Sequence, residues 1–183
     1  MRKRFKKVQE STVTISELML PSHSNFNGKI HGGYILSLLD QIAFACASKH
    51  SEVYCVTASV DTVDFLKPIE IGELVTMKAS VNYVGRTSMV IGIRVEAENI
   101  QTGASKHCNS SYFSMVAKDS SGNSVEVPGL ILKNHNEIRR FAKSLERRNR
   151  KRSGIAEFKS TDFASEKYLH LVEGQHVKIE LED

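Results

Sequence analysis

Cysteine is scarce in this 183-residue sequence: there are three, Cys46, Cys55 and Cys108. An odd, widely spaced set with no CxxC pair supplies neither a disulfide framework nor zinc ligands, so these read as reduced thiols of a cytoplasmic protein. Cys46 stands in a strongly apolar stretch, where buried packing is its default reading. Long hydrophobic runs are missing as well, and none approaches the ~20 residues that cross a bilayer. The N-terminus, Met1 to Lys7, has the charge of a secretion signal, but Val8 to Thr12 bring no apolar core, which speaks against secretion. With 11 Gly and 3 Pro the chain is neither collagen-like nor low-complexity. There is no G-x-S-x-G, Walker loop, dinucleotide fingerprint or HExxH. The histidines show no ligand spacing, so no metal and no cofactor is expected.

What is present is the balance of one ordinary soluble domain with room for a tail: 40% hydrophobic and 25% charged residues. The net charge of +4 is unevenly spread. Five of the first seven residues are Lys or Arg, and nine more lie between Lys133 and Arg152. Two basic clusters on a near-neutral body suit a polyanion, and phosphate on a small molecule serves as well as nucleic acid. Solvated, solubilising ends are the plain alternative for the N-terminal cluster.

Residues 12–18 alternate polar and apolar as a half-buried strand does. Residues 21–28 are a loop by composition. From Tyr34 to Ala47 the chain is rich in Leu and Ala and free of Gly and Pro, which predicts a helix. It is apolar nearly all round and so is expected to be wrapped by protein on most sides. Residues 55–61, 74–83, 89–98 and 110–117 read as strands, with 64–68 continuing the first after a kink, Pro68 being confined to an edge or a strand end. Val84 to Ser88 is a hairpin loop. One strand, one buried helix and several antiparallel strands make an α+β pattern, best satisfied if the sheet curls round the helix and an edge pairs with a second copy. Residues 136–152 read as a basic helix, and 177–181 as a short strand in a tail of unassigned role.

The helix carries one polar stripe, Ser37, Asp40 and Gln41. A buried Asp is costly without a partner or a task. Pairing across an interface weighs as heavily there as chemistry. Gly32-Gly33 stands where the helix should start, where exposed N–H groups and the helix dipole favour an oxyanion. Such pairs are more often simple turns. Asn25 and Asn27 suit a turn. His31 is a possible general base, although a lone His more often packs or hydrogen-bonds.

Taken together, Asn25-x-x-Gly28-x-x-His31-Gly32-Gly33-x6-Asp40 resembles the hotdog-fold acyl-CoA thioesterases, in the cytosolic brain-type and bacterial YciA-like group. Val84-Gly-Arg-Thr-Ser88 resembles the loop of that group between two long strands. Val60 to Pro68, followed by Gly72, resembles its central-strand segment. The three motifs occur in order within residues 12–130, which defines the expected domain. Residues 1–11 would then be a basic arm, and 131–183 a basic helix and tail longer than in the simplest bacterial members.

The resemblance implies a curved antiparallel sheet round a long helix, with subunits paired edge to edge and three pairs in a homohexamer. It places a catalytic Asn on Asn25 and a catalytic carboxylate on Asp40 of the neighbouring subunit. Gly33 N–H would hold the oxyanion, and Gly85, Arg86, Thr87 and Ser88 would contact CoA. The implied partner is acyl-CoA, with no membrane and no nucleic acid. Arg and Lys of the basic helix are further candidates for the adenosine phosphate of CoA. A non-catalytic acyl-CoA sensor on the same fold is the rival reading, opposed by the presence of both Asn25 and Asp40. No helix-turn-helix precedes the domain to support DNA binding.

Overall fold

The computed structural model describes residues 5–61 and 63–159. Its centre is the helix α2 (Gly32–Ser51), a 20-residue element begun by His31 as N-cap and ended by Glu52 in the left-handed conformation, φ 62°. It starts two residues before the predicted span and runs four beyond it. Before it come β1 (Phe5–Lys7), the short α1 (Val8–Ser11) and β2 (Val13–Leu18). After it follow β3 (Tyr54–Val60), β4 (Asp64–Phe65), β5 (Glu73–Val84), β6 (Ser88–Asn99) and β7 (Ser105–Lys118). The last elements are β8 (Gly129–Ile131) and α3 (His135–Lys159).

The main sheet has the order β2-β5-β6-β7-β3, all antiparallel, with β4 also on β7. Period-2 alternation sends Val75, Met77, Ala79 and Val81 of β5, and Ile91, Ile93, Val95 and Ala97 of β6, into one core. There they meet Ile35, Leu39, Ile42, Ala43 and Cys46 of α2. Register shifts fall between Val81 and Tyr83 of β5, between Thr57 and Ser59 of β3, and between Val95 and Glu96 of β6 against β7. Such irregularities raise the local twist, and they bend the long strands around the helix. The shift in β5 also exchanges its faces: Val84 packs on the core, while Tyr83 meets Phe141 of α3 with ring centroids 5.0 Å apart. The fold is the expected curved antiparallel sheet around a central helix.

Two expectations change. The last sheet strand begins at Ser105, five residues earlier than its pattern suggested, because polar Ser105 to His107 pair with β6 at the sheet's exposed end. Residues 5–11, read as a basic arm outside the domain, belong to it. Here β1 pairs in parallel with β8, and the Lys6 ammonium donates to Lys49 O (3.2 Å) and His50 O (2.9 Å) and pairs with Glu52 (2.7 Å). The orphan carbonyls and negative dipole end of α2 draw that cation out of solvent. Helix α2 is wrapped on most sides, as expected, and Leu36, Ser37, Asp40, Gln41 and Phe44 form an exposed stripe in the single chain.

The chain groups into two units, one ending at Leu145 and one starting at Glu146, so the domain takes in the first turns of α3 as well. The basic helix is found, longer than its predicted 136–152. The strand expected at 177–181 lies outside the described residues. All three cysteines are free and buried, and burial pushes the Cys46 thiol up to about 12. Among the described residues, no helix is long and apolar enough to cross a membrane.

Candidate active site

The segment before α2 is a tight turn. Gly28 N–H donates to Asn25 O (3.1 Å), and Gly28 takes φ 71°, a value side chains rarely adopt. Asn25 Oδ1 accepts from the N–H groups of Asn27 (2.9 Å) and Lys29 (3.2 Å). Two backbone donors on that oxygen fix the amide's orientation, and the NH2 is the group left for a ligand. Asn25 is therefore presented as a hydrogen-bond donor.

The helix start differs in detail from the expectation for Gly33. Its N–H donates to Nδ1 of His31 (2.9 Å), which thereby caps the helix. A Cβ on Gly33 would lie 2.9 Å from His31 Cε1, so the glycine keeps the cap in place. The N–H of Gly32, one residue earlier, has no acceptor among the described residues. The positive end of α2 thus offers its open donor at Gly32, and His31 is occupied as a cap rather than poised as a base.

Tyr34, in the first turn, donates its hydroxyl to Glu17 of β2 and stacks on His23 at 4.0 Å. The bond to the Glu17 carboxylate raises the Tyr34 pKa, with desolvation adding to it. These contacts anchor the start of α2 to the edge strand.

Asp40 lies on the exposed stripe two turns further on. Thr57 of β3 donates its hydroxyl to Asp40 Oδ1 at 2.6 Å, a short charge-assisted bond. Thr57 was not singled out in the sequence, since 17 positions separate it from Asp40 and its strand alternates without any local signal. The carboxylate was expected to be partly desolvated, but in the single chain it is exposed. Asp40 follows Gly32 by eight residues, about 12 Å of rise along the axis at 1.5 Å per residue. One reacting carbonyl cannot reach both groups of one helix.

Gly85 to Ser88 form the turn between β5 and β6, closed by Gly85 N–H on Ser88 O (2.7 Å). The carbonyls of Arg86 and Thr87 accept from Val127 (3.0 Å) and Ala117 (3.0 Å), which pins the turn and leaves the Arg86 side chain exposed. No described hydrogen bond joins this turn to Asn25 or Asp40 in the single chain. No group of three or more His, Cys, Asp or Glu among the described residues is arranged to hold a metal.

Comparisons with known proteins complete the picture. A thioesterase superfamily model matches residues 27–104. The chain is 42% identical over 140 residues to protein VdlD of Helicobacter pylori, covering 76% of this chain and 80% of that one. It is 35% identical over 152 residues to the uncharacterised acyl-CoA thioester hydrolase YkhA of Bacillus subtilis, covering 81% and 88%. Among solved structures, an apo-hexameric acyl-CoA thioesterase matches with TM-score 0.81 and 33% identity, over 84% of this chain and 98% of that one. An acyl-CoA hydrolase of Staphylococcus aureus, in complex with butyryl-CoA, CoA and CoA disulfide, matches with TM-score 0.79 and 29% identity, over 91% and 99%. The chain belongs to the thioesterase superfamily, in its hotdog fold. The S. aureus enzyme was also solved with alanine in place of an asparagine, an aspartate and a threonine spaced 15 and then 17 positions apart. Asn25, Asp40 and Thr57 have the same spacing.

Proposed function

We propose that this protein hydrolyses acyl-CoA thioesters to the free acid and CoA, at a site shared between two copies of the chain. The observation that carries the reading is the Asp40 carboxylate, exposed on α2 and held by Thr57 at 2.6 Å. It lies too far along its own helix from Gly32 to serve the same carbonyl. A second copy would bring its own Asp40 to the Asn25 turn and helix start of the first. The hexameric relatives support such an assembly, with the trimer of dimers as its expected form.

The chemistry follows from the groups present. Thr57 holds one carboxylate oxygen, and the other takes a proton from water as that water attacks the thioester carbonyl. Charge develops on the carbonyl oxygen, where the Asn25 NH2 and the Gly32 N–H are the donors aimed to receive it. The C–S bond then breaks, the electrons leave on sulfur, and the proton held by Asp40 passes to the departing CoA thiolate. Arg86 on its pinned turn suits a CoA phosphate, with Gly85, Thr87 and Ser88 supplying backbone and hydroxyl contacts. No metal or redox group enters this scheme.

The test is thiol release from a panel of acyl-CoAs by the wild type, Asp40→Asn and Asn25→Ala. Turnover by the wild type, with losses of roughly 10²–10⁴-fold for Asp40→Asn and 10²–10³-fold for Asn25→Ala in folded protein, is the expected result. Binding of acyl-CoA without turnover at any chain length would replace the hydrolase with the sensor.

A further inference from the structure

Gly32 poses a question that the fold does not answer. Its φ lies outside the left-handed range, and a Cβ there would meet only the Phe65 ring, 3.5 Å from Cζ and 3.6 Å from Cε2. Those are ordinary van der Waals distances, so an alanine would be accommodated. What the missing methyl leaves is a methyl-sized slot between Gly32, whose N–H is open, and the Phe65 ring.

Phe65 is held firmly enough to be one wall of that slot. It is the second residue of β4, paired with Asn109 of β7. The buried Asn109 side chain donates to Asp64 O (2.9 Å), and Leu66 N–H donates to Cys108 O (2.9 Å). The backbone is thus pinned on both sides of Phe65, while its side chain remains 48% exposed. A half-exposed ring on a fixed backbone, beside an unsatisfied donor, is a surface awaiting an apolar group.

We propose that Phe65 is a specificity-determining residue, its ring packing on the substrate carbon next to the thioester carbonyl and excluding branching there. The proposal rests on the hydrolase reading, with Gly32 as an oxyanion donor. A carbonyl oxygen on the Gly32 N–H brings the flanking carbon into the slot. The ring has no hydrogen-bonding group to offer the amides or phosphates of CoA, so it suits the acyl side. An unbranched chain passes a slot of this width, and an added methyl meets the ring.

The experiment compares kcat/KM for n-butyryl-CoA and isobutyryl-CoA, which differ in branching at that carbon. Wild-type turnover of n-butyryl-CoA, measured first, tests the hydrolase reading by itself. The wild type is then expected to prefer the straight chain by about tenfold or more, the effect of one misplaced methyl group. Phe65→Ala should bring the ratio within about threefold of unity, with Phe65→Leu between, and Leu66→Ala next to it should leave the ratio unchanged. Gly32→Ala narrows the slot from the other side and should raise the ratio, but only where Phe65 is intact. A wild-type ratio near unity overturns the proposal while leaving the hydrolase in place. So does a Phe65→Ala enzyme that loses both substrates equally, since the ring then serves CoA or the fold. If Phe65→Ala does not fold, an unchanged ratio in both Phe65→Leu and Gly32→Ala overturns it equally. No turnover of either substrate by the wild type removes the hydrolase reading and this proposal together.

Discussion

Replacing Thr57 by valine isolates one hydroxyl. Valine keeps the β-branched shape that β3 favours, so the strand and its pairing with β7 persist. What disappears is the 2.6 Å bond to Asp40, along with a weak 3.4 Å contact with Met115 Sδ. Hydrogen bonds to charged groups contribute about 1.5–3 kcal/mol. Asp40 is exposed in the single chain, so water takes over part of the lost bond, and the lower end applies. About 1.4 kcal/mol of lost positioning corresponds to a tenfold fall in rate. The assay is steady-state thiol release, with oligomer mass and thermal unfolding measured alongside. The expected result is a fall in kcat of about tenfold or more, KM nearly unchanged, and a melting temperature within ~2 °C of wild type, since an exposed substitution shifts stability little. Thr57→Ser, which retains the hydroxyl, should recover most of the rate. A Thr57→Val enzyme within twofold of wild type, in a background where Asp40→Asn is inactive, would refute the positioning role.

Two further predictions concern the N-terminal segment. Lys6→Met removes the cation from two helix carbonyls and from Glu52 while keeping the apolar stem, and should cost roughly 2 kcal/mol in denaturant unfolding. His50, buried at the C-terminal end of α2, meets Ser11 Oγ through Nδ1 (3.0 Å) and Pro128 O through Nε2 (2.9 Å). A carbonyl only accepts, so Nε2 carries the proton and the neutral ring takes the Ser11 hydroxyl at Nδ1. Burial lowers the His50 pKa, with the bond to Pro128 opposing and Lys6 reinforcing the shift. The unfolded chain then binds the proton more tightly than the folded one. His50 therefore contributes stability that is present above its ordinary pKa of about 6.5 and is lost as the pH falls below it. Thermal unfolding at pH 7.5 and 5.5 should show a larger acid loss for wild type than for His50→Gln, and equal losses would contradict the assignment.

How much of this was legible in the sequence divides along a physical line. Local patterns wrote themselves plainly: the alternation in β5 and β6, the apolar run of α2, the hairpin at Gly85. Asn25 and Asp40 stood out because one motif places them at fixed spacing around a helix start. The rest depends on contacts distant in sequence. Thr57 gains meaning only when β3 lies beside α2, and Phe65 only when β4 brings its ring over Gly32. Lys6 looked like one of five cations, solvated or facing a polyanion, until the end of α2 supplied carbonyls for it. The assignment of the oxyanion donor turned on a single side chain, because nothing in the order His31-Gly32-Gly33 says that the imidazole folds back onto the second glycine's N–H.

Helix α2 carries two sets of demands on one element. Ile35, Leu39, Ile42 and Cys46 recur on the side that fills the sheet, and their burial holds the helix in place. Leu36, Asp40 and Phe44 recur every four residues on another side, where they are exposed in the single chain. A stripe of two large apolar residues flanking a carboxylate is neither a solvated face nor a core. Burying Leu36 and Phe44 against another surface removes water from around Asp40, and each electrostatic contact of the carboxylate strengthens as that water leaves. In the proposed shared site, a contact that buried Leu36 and Phe44 against a second copy would supply the drier surroundings in which a carboxylate base is strengthened.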